Sequence, residues 1–216
     1  MRTESNLLTA QHTETPPNHG ALDNPLSDMD WANFEMGFWH PFGQHGREAP
    51  SDIIDRKRSE TEKNGWTLWS FQYRTPETLA NWCRALSSAR GPVLVFCSKG
   101  SSAVDPDRPG ALAKTSDCTL YRWPDSREWR PVPGLIRVPH PFAPSKRVAS
   151  AFVVRRVHPI GQFERPQVEW LSQNKWRADA LPTRPEYLIR RGGKIGMRDV
   201  SVVLELQPPY LAIVTL

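Results

Sequence analysis

Proline interrupts this chain so often that helix can account for only a small part of it. The sequence has 21 prolines in 216 residues, about twice the usual share. Each proline lacks a backbone N–H and fixes φ, which argues against a helical bundle and favours short strands joined by irregular loops.

Two segments nevertheless read as helices. In "APSDIIDRKRSETEKNG", Ser51 is the expected N-cap, Asp52 lies in the first turn, Lys63 lies near the end and Asn64-Gly65 supplies the stop, which predicts a helix over 51–63. Only Ile53 and Ile54 are strongly apolar there, so most of its surface should be solvated. "TPETLANWCRALSSARG" predicts a helix over 76–89: Thr75 caps it, Pro76 opens it, and Leu79, Trp82, Cys83 and Leu86 recur at i, i+3, i+4, i+7.

Between these helices, "NGWTLWSFQYR" alternates as a strand. Trp66, Leu68, Ser70 and Gln72 fall on one face; Thr67, Trp69, Phe71 and Tyr73 fall on the other, and Trp69, Phe71 and Tyr73 are expected in the core. With Phe38-Trp39 before and the apolar run "PVLVFCS" after, residues 36–98 read strand–helix–strand–helix–strand, an order suited to a partly parallel sheet. Beyond Lys99 come short β-like runs separated by proline and glycine, which suggests a meander or small barrel. A weak stripe of Val168, Leu171 and Lys175 suggests a third helix within "QVEWLSQNKWRADA". The expected fold is therefore α+β: a mixed sheet or small β-barrel flanked by two or three short helices. Residues 1–30 are polar and without periodicity, and read as a disordered or loosely ordered acidic tail. Residues 31–216 then form a single domain.

Composition narrows the class further. No apolar run approaches the roughly 18 residues of a membrane span, and the N-terminus lacks the order of a signal peptide. A soluble, cytoplasmic protein is expected, with no membrane partner. Cys83, Cys97 and Cys118 are odd in number, widely spaced and without a C-x-x-C pair, so buried free thiols are expected, and neither a structural zinc site nor a disulfide-linked partner is. No cofactor is indicated. Charge is uneven: residues 1–35 carry Arg2 against Glu4, Glu14, Asp23, Asp28, Asp30 and Glu35, a net of −5, which subtracted from the chain's +5 leaves +10 for residues 36–216. A basic folded region attracts anions, nucleic acid among them.

Several constellations bear on chemistry. His40, His45 and Glu48 in "FWHPFGQHGRE" include the donor types of a divalent metal site, or an acid and a base. Their spacing matches no helical ligand pair, and Pro41 and Gly43 make the stretch a loop. Cys97 is open to a thiol–imidazole pair with His40, although a cysteine in "VLVFC" is more readily core. "CSKGSSAVD" could offer Ser98, Lys99 and backbone amides to a phosphate, but lacks the length and order of a Walker A loop. His140-Pro141 and His158-Pro159 read as strand ends. Basic and aromatic residues interleave in "YRWPDSREWRP", "KRVASAFVVRRVHP" and "NKWRAD". In "RRGGKIGMR" a double glycine among Arg190, Arg191, Lys194 and Arg198 suits close approach to a backbone anion.

The Trp-rich strand, short capped helices and later basic strands resemble the PUA-like superfamily, with its EVE, ASCH and YTH-type base-binding barrels. The likeness is one of architecture over residues 36–216; "GGKIGMR" lacks the acidic residue and spacing of the ASCH G-x-K-x-x-E-x-R signature. The resemblance implies a nucleic-acid-binding protein, DNA or RNA, that reads a flipped-out or modified base in an aromatic-walled pocket. Its walls would come from Trp39, Trp66 or Trp69, with Ser70, Gln72 and Ser98 as polar neighbours and Lys99, Arg190, Arg191, Lys194 and Arg198 on phosphate. The alternative is an enzyme acting on a nucleotide or other anionic substrate through His40, His45 and Glu48, with or without a metal. A third reading is a protein-interaction module that uses the acidic tail.

Overall fold

The computed structural model describes residues 33–42, 49–99, 118–133, 147–159, 166–181, 186–197 and 200–215; the side chain of Lys99 lies outside that description. So do the expected tail, His45, Glu48, His140 and Arg198. Through the described residues the chain runs β1 (Met36–Phe42), α1 (Pro50–Asn64), β2 (Thr67–Phe71), α2 (Pro76–Ser87), β3 (Leu94–Lys99), β4 (Leu120–Arg122), β5 (Arg130–Pro131), β6 (Val148–Pro159), β7 (Gln167–Ser172), β8 (Lys175–Arg177), β9 (Tyr187–Arg191), β10 (Ile195–Gly196) and β11 (Val200–Thr215).

Both expected helices form, with local corrections. Pro50 takes the first position of α1, where its missing N–H costs nothing. The N-cap is therefore Ala49 rather than Ser51, and Asp52 reaches back to accept the Ala49 N–H at 3.3 Å. Gly65 ends the helix with φ 78° and donates its N–H to the Thr61 carbonyl at 2.8 Å, a conformation glycine adopts at little cost. In α2, Thr75 accepts the Thr78 N–H at 3.3 Å, and Leu79 and Leu86 are completely buried.

The strands make one mixed sheet of eleven. β1 and β3 are parallel neighbours, as the alternation over 36–98 predicts. β2 lies elsewhere, antiparallel to β6. The long strand β11 joins the two regions: its first half lies between β3 and β6, its second between β4 and β6. Its ladder to β6 shifts register between Leu206 and Leu211, across Pro208-Pro209, whose nitrogens carry no proton to donate. Among the described residues the sheet is not closed into a barrel. Among the described residues β1 and β2 meet only through side chains.

The third helix does not form. Residues 167–177 are the hairpin β7–β8, turned by Gln173 (φ 48°) and Asn174 (φ 60°). Two consecutive left-handed residues match the twist of a two-residue hairpin, and neither is the glycine that usually announces one.

Three apolar clusters hold the layers. The largest lies on the face that carries the helices and takes Phe38, Phe42, Trp69, Phe71, Phe152, Leu188 and Leu204 together with Ile53, Leu79 and Leu86. The opposite, outer face carries two smaller ones. Phe34, Trp39, Leu94, Phe96, Val168, Ile189, Met197 and Val203 form the second. Leu68, Tyr121, Ala149, Val153 and Val214 form the third, with Trp66 and Trp123 packed against it.

Candidate functional site

The three tryptophans proposed as base-stacking walls do not converge. Alternation sends Trp69 to the helix-bearing face, where it is 4% exposed, while Trp39 is 6% exposed in the second cluster. Neither has a free ring face to offer a base. Trp66 is half-buried, and its neighbours are the rings of Tyr121, edge-on at 5.5 Å, and Trp123 at 6.5 Å. The polar residues assigned to the same pocket are also apart. Ser70, half-buried, and Gln72, exposed, belong to the β2 region; Ser98 is buried on β3, opposite Pro41. Tyr73, expected in the core, lies past the end of β2 and is 45% exposed.

His40 sits in a buried polar chain instead of an open loop. It points into the main cluster from β1, amid the rings of Trp69, Phe71 and Phe152. Trp69 donates its indole N–H to His40 Nε2 at 3.1 Å. An imidazole that accepts at Nε2 carries its proton on Nδ1, and Nδ1 lies 3.2 Å from Glu186 Oε1, within ion-pair reach though not aligned as a hydrogen bond. The other carboxylate oxygen lies 3.5 Å from Arg74 Nη2. Burial raises the Glu186 carboxyl, but the His40 ring and the Arg74 guanidinium outweigh it and hold the group below its ordinary value. Among the described residues the carboxylate that reaches His40 is Glu186; the expected Glu48 lies outside them.

This arrangement limits what His40 can do. Both ring nitrogens face protein partners, so neither is directed at a metal or a substrate proton. Cys97 faces His40 across the parallel ladder, but complete burial pushes its thiol well above its ordinary value, so it supplies no thiolate. Among the described residues no group of three or more His, Cys, Asp or Glu is placed to hold a metal ion. No described helix is long and apolar enough to cross a membrane.

The basic residues sort by face. Arg190 and Arg191 are consecutive on β9 and therefore point to opposite sides. Arg190 turns to the helix-bearing face, pairs with Glu169 at 2.6 and 2.8 Å, and lies over the Trp176 ring at 4.4 Å. The double glycine after it serves the protein's own backbone: Gly192 donates to the Gln167 carbonyl at 3.1 Å, and a Cβ on Gly193 would run into the Val168 carbonyl. The close approach that the double glycine makes here is to strand β7 of this chain.

Arg191 points to the outer face, opposite Val168. The hairpin brings two more cations to that face, Arg177 opposite Trp170 and Lys175 opposite Ser172. All three are exposed. Exposed Lys194 lies in the adjoining turn. Among the described residues no carboxylate forms an ion pair with any of these four. Half-buried Trp170 sits among them, edge-on to Tyr187 with ring centroids 4.7 Å apart, its indole N–H held by the Asp179 carbonyl at 3.3 Å. Lys175, Arg177 and Trp170 are absent from the sequence-based set of site residues. Reading 167–180 as helix turned Lys175 away from Trp170 and Arg177, whereas alternation across a two-residue turn would have put all three on one face.

No family model matches the chain, and no curated protein or solved structure matches it.

Proposed function

We propose that this protein binds nucleic acid through the outer face of β7, β8 and β9. The observation that carries this reading is the grouping of Lys175, Arg177 and Arg191 around the half-buried ring of Trp170, with no described carboxylate in ion-pair reach of the three cations. Arginine and lysine exchange counterions for phosphates, and a partly exposed indole offers a surface on which an unpaired base can stack. The net +10 of residues 36–216 adds long-range attraction.

The proposed mode is a surface for single-stranded nucleic acid. It replaces the tryptophan-walled pocket implied by the PUA-like resemblance, because Trp39, Trp66 and Trp69 occupy three separate clusters. The enzymatic alternative draws no support from His40, whose nitrogens face Trp69 and Glu186. Fluorescence anisotropy with a labelled single-stranded oligonucleotide tests the reading. Replacing Lys175, Arg177 and Arg191 together by alanine should weaken binding at least tenfold; unchanged affinity would overturn it.

A further inference from the structure

A second basic group lies on the outer face, far from the first. On β6, Arg155 and Arg156 place guanidinium nitrogens 3.9 Å from the Glu205 carboxylate of β11, and His158 Nε2 lies 3.8 Å from it. Both arginine side chains keep more than two fifths of their surface exposed, whereas Glu205 is 14% exposed. None of these three contacts is short enough to be a direct hydrogen bond. Glu205 therefore orients the arginines and neutralises one charge of two, leaving outward N–H donors in the fork geometry that grips a phosphate.

The ladders put this group in line with the first. Arg156 pairs with Glu205, Glu205 with Leu94, Leu94 with Gly37, Gly37 with Ile189, Ile189 with Trp170, and Trp170 with Arg177. This row of cross-strand partners crosses six strand spacings on one face, roughly 30 Å along the sheet. Its ends are basic. Its middle, Leu94 and Ile189, is apolar and completely buried in the cluster shared with Phe34 and Met197, so a strand joining the two basic ends passes above these side chains and not on them.

We propose that Arg155 and Arg156 form a second binding site for backbone phosphate, so that a bound single strand crosses the width of the sheet from Trp170 to β6. This rests on the reading given under Proposed function. At roughly 3.4 Å or more per phosphate, a strand needs at most about nine nucleotide steps to join the two ends. An oligonucleotide of about four nucleotides reaches one end only, and one of about 16 reaches both.

The test measures anisotropy with oligothymidylates of about 4 and about 16 nucleotides, comparing wild type with the double variant Arg155→Ala, Arg156→Ala. The expected result is about tenfold weaker binding of the longer oligonucleotide, with the salt slope of log K reduced by about 1.4 for two lost phosphate contacts. Binding of the shorter one should not change. The double variant Arg155→Lys, Arg156→Lys keeps the charge and should restore most of the slope. Equal weakening at both lengths, or at neither, would overturn the second site and leave the Trp170 surface standing. A wild type that binds neither length would overturn both.

Discussion

Trp69 of β2 and His40 of β1 belong to strands that no described ladder joins, yet the indole N–H lies 3.1 Å from the imidazole Nε2. This contact ties the two regions of the sheet together through side chains of the main cluster. It continues through Glu186 to Arg74, which adds the residue just before β9 and the residue before the cap of α2 to the same chain.

Removing the middle of that chain should be costly. His40→Ala leaves the Trp69 N–H without its acceptor and a largely buried Glu186 carboxylate with one partner fewer. A loss of about 2–5 kcal/mol is expected from such unpaired buried groups, read as a lower urea midpoint. Oligonucleotide affinity of the folded fraction should stay as in wild type, since His40 takes no part in the proposed surface. A stable variant that loses binding would return His40 to the functional site.

Acid should weaken the fold through Glu186 and Glu205. Burial raises each carboxyl, but the His40 ring and Arg74 lower Glu186, while His158, Arg156 and Arg155 lower Glu205; both end below their ordinary value of 4.5. A carboxyl lowered by folding binds fewer protons in the folded chain than in the unfolded one. Its contribution is then fully present above the ordinary value and is lost as pH falls through the lowered one. Urea midpoints should hold above pH 4.5 and drop below it, and Glu205→Gln should flatten part of that drop. A midpoint indifferent to acid would contradict the lowered values.

Gly193→Ala offers a local test of the double glycine. The added Cβ would meet the Val168 carbonyl, and main chain yields less readily than the end of a side chain. A cost of roughly 1–3 kcal/mol is expected. Gly196→Ala, with nothing within 4 Å of the new methyl, should cost under about 1 kcal/mol and serves as the control.

Trp170→Ala should separate the proposed stacking residue from the tryptophans chosen on sequence grounds. Loss of one stacked base weakens binding by about 1–3 kcal/mol. Trp66→Ala should leave affinity unchanged, since that ring packs on Tyr121 and Trp123 of the third cluster. Titration of both variants with the same oligonucleotide decides between them, and a larger loss for Trp66 would move the site to the β4–β5 side.

What the sequence disclosed was local. Thr75, Pro76 and the Leu79–Leu86 stripe specify α2 without outside help, and alternation assigned Trp66 and Trp69 to opposite faces. Alternation does not reveal what covers a face, so burial of Trp39 and Trp69 could not be read from it. The partner of His40 was hidden for a related reason: Glu186 stands 146 positions away in a proline-rich stretch, and only the pairing of β1 with β9 brings the two together. The β7–β8 hairpin was missed because Gln173-Asn174 lacks the glycine that marks such turns. That one error turned Lys175 away from Trp170 and Arg177 and hid the single face on which the proposed surface depends.

The most direct test is the salt dependence of binding to a single-stranded oligonucleotide of about 16 nucleotides, measured for wild type and for the triple variant Lys175→Ala, Arg177→Ala, Arg191→Ala. Wild-type log K should fall linearly with log salt, and the triple variant should lose about 2 units of slope, about 0.7 for each phosphate contact removed. Equal slopes for the two proteins, or no binding by wild type at low salt, would contradict the assignment of this face to nucleic acid.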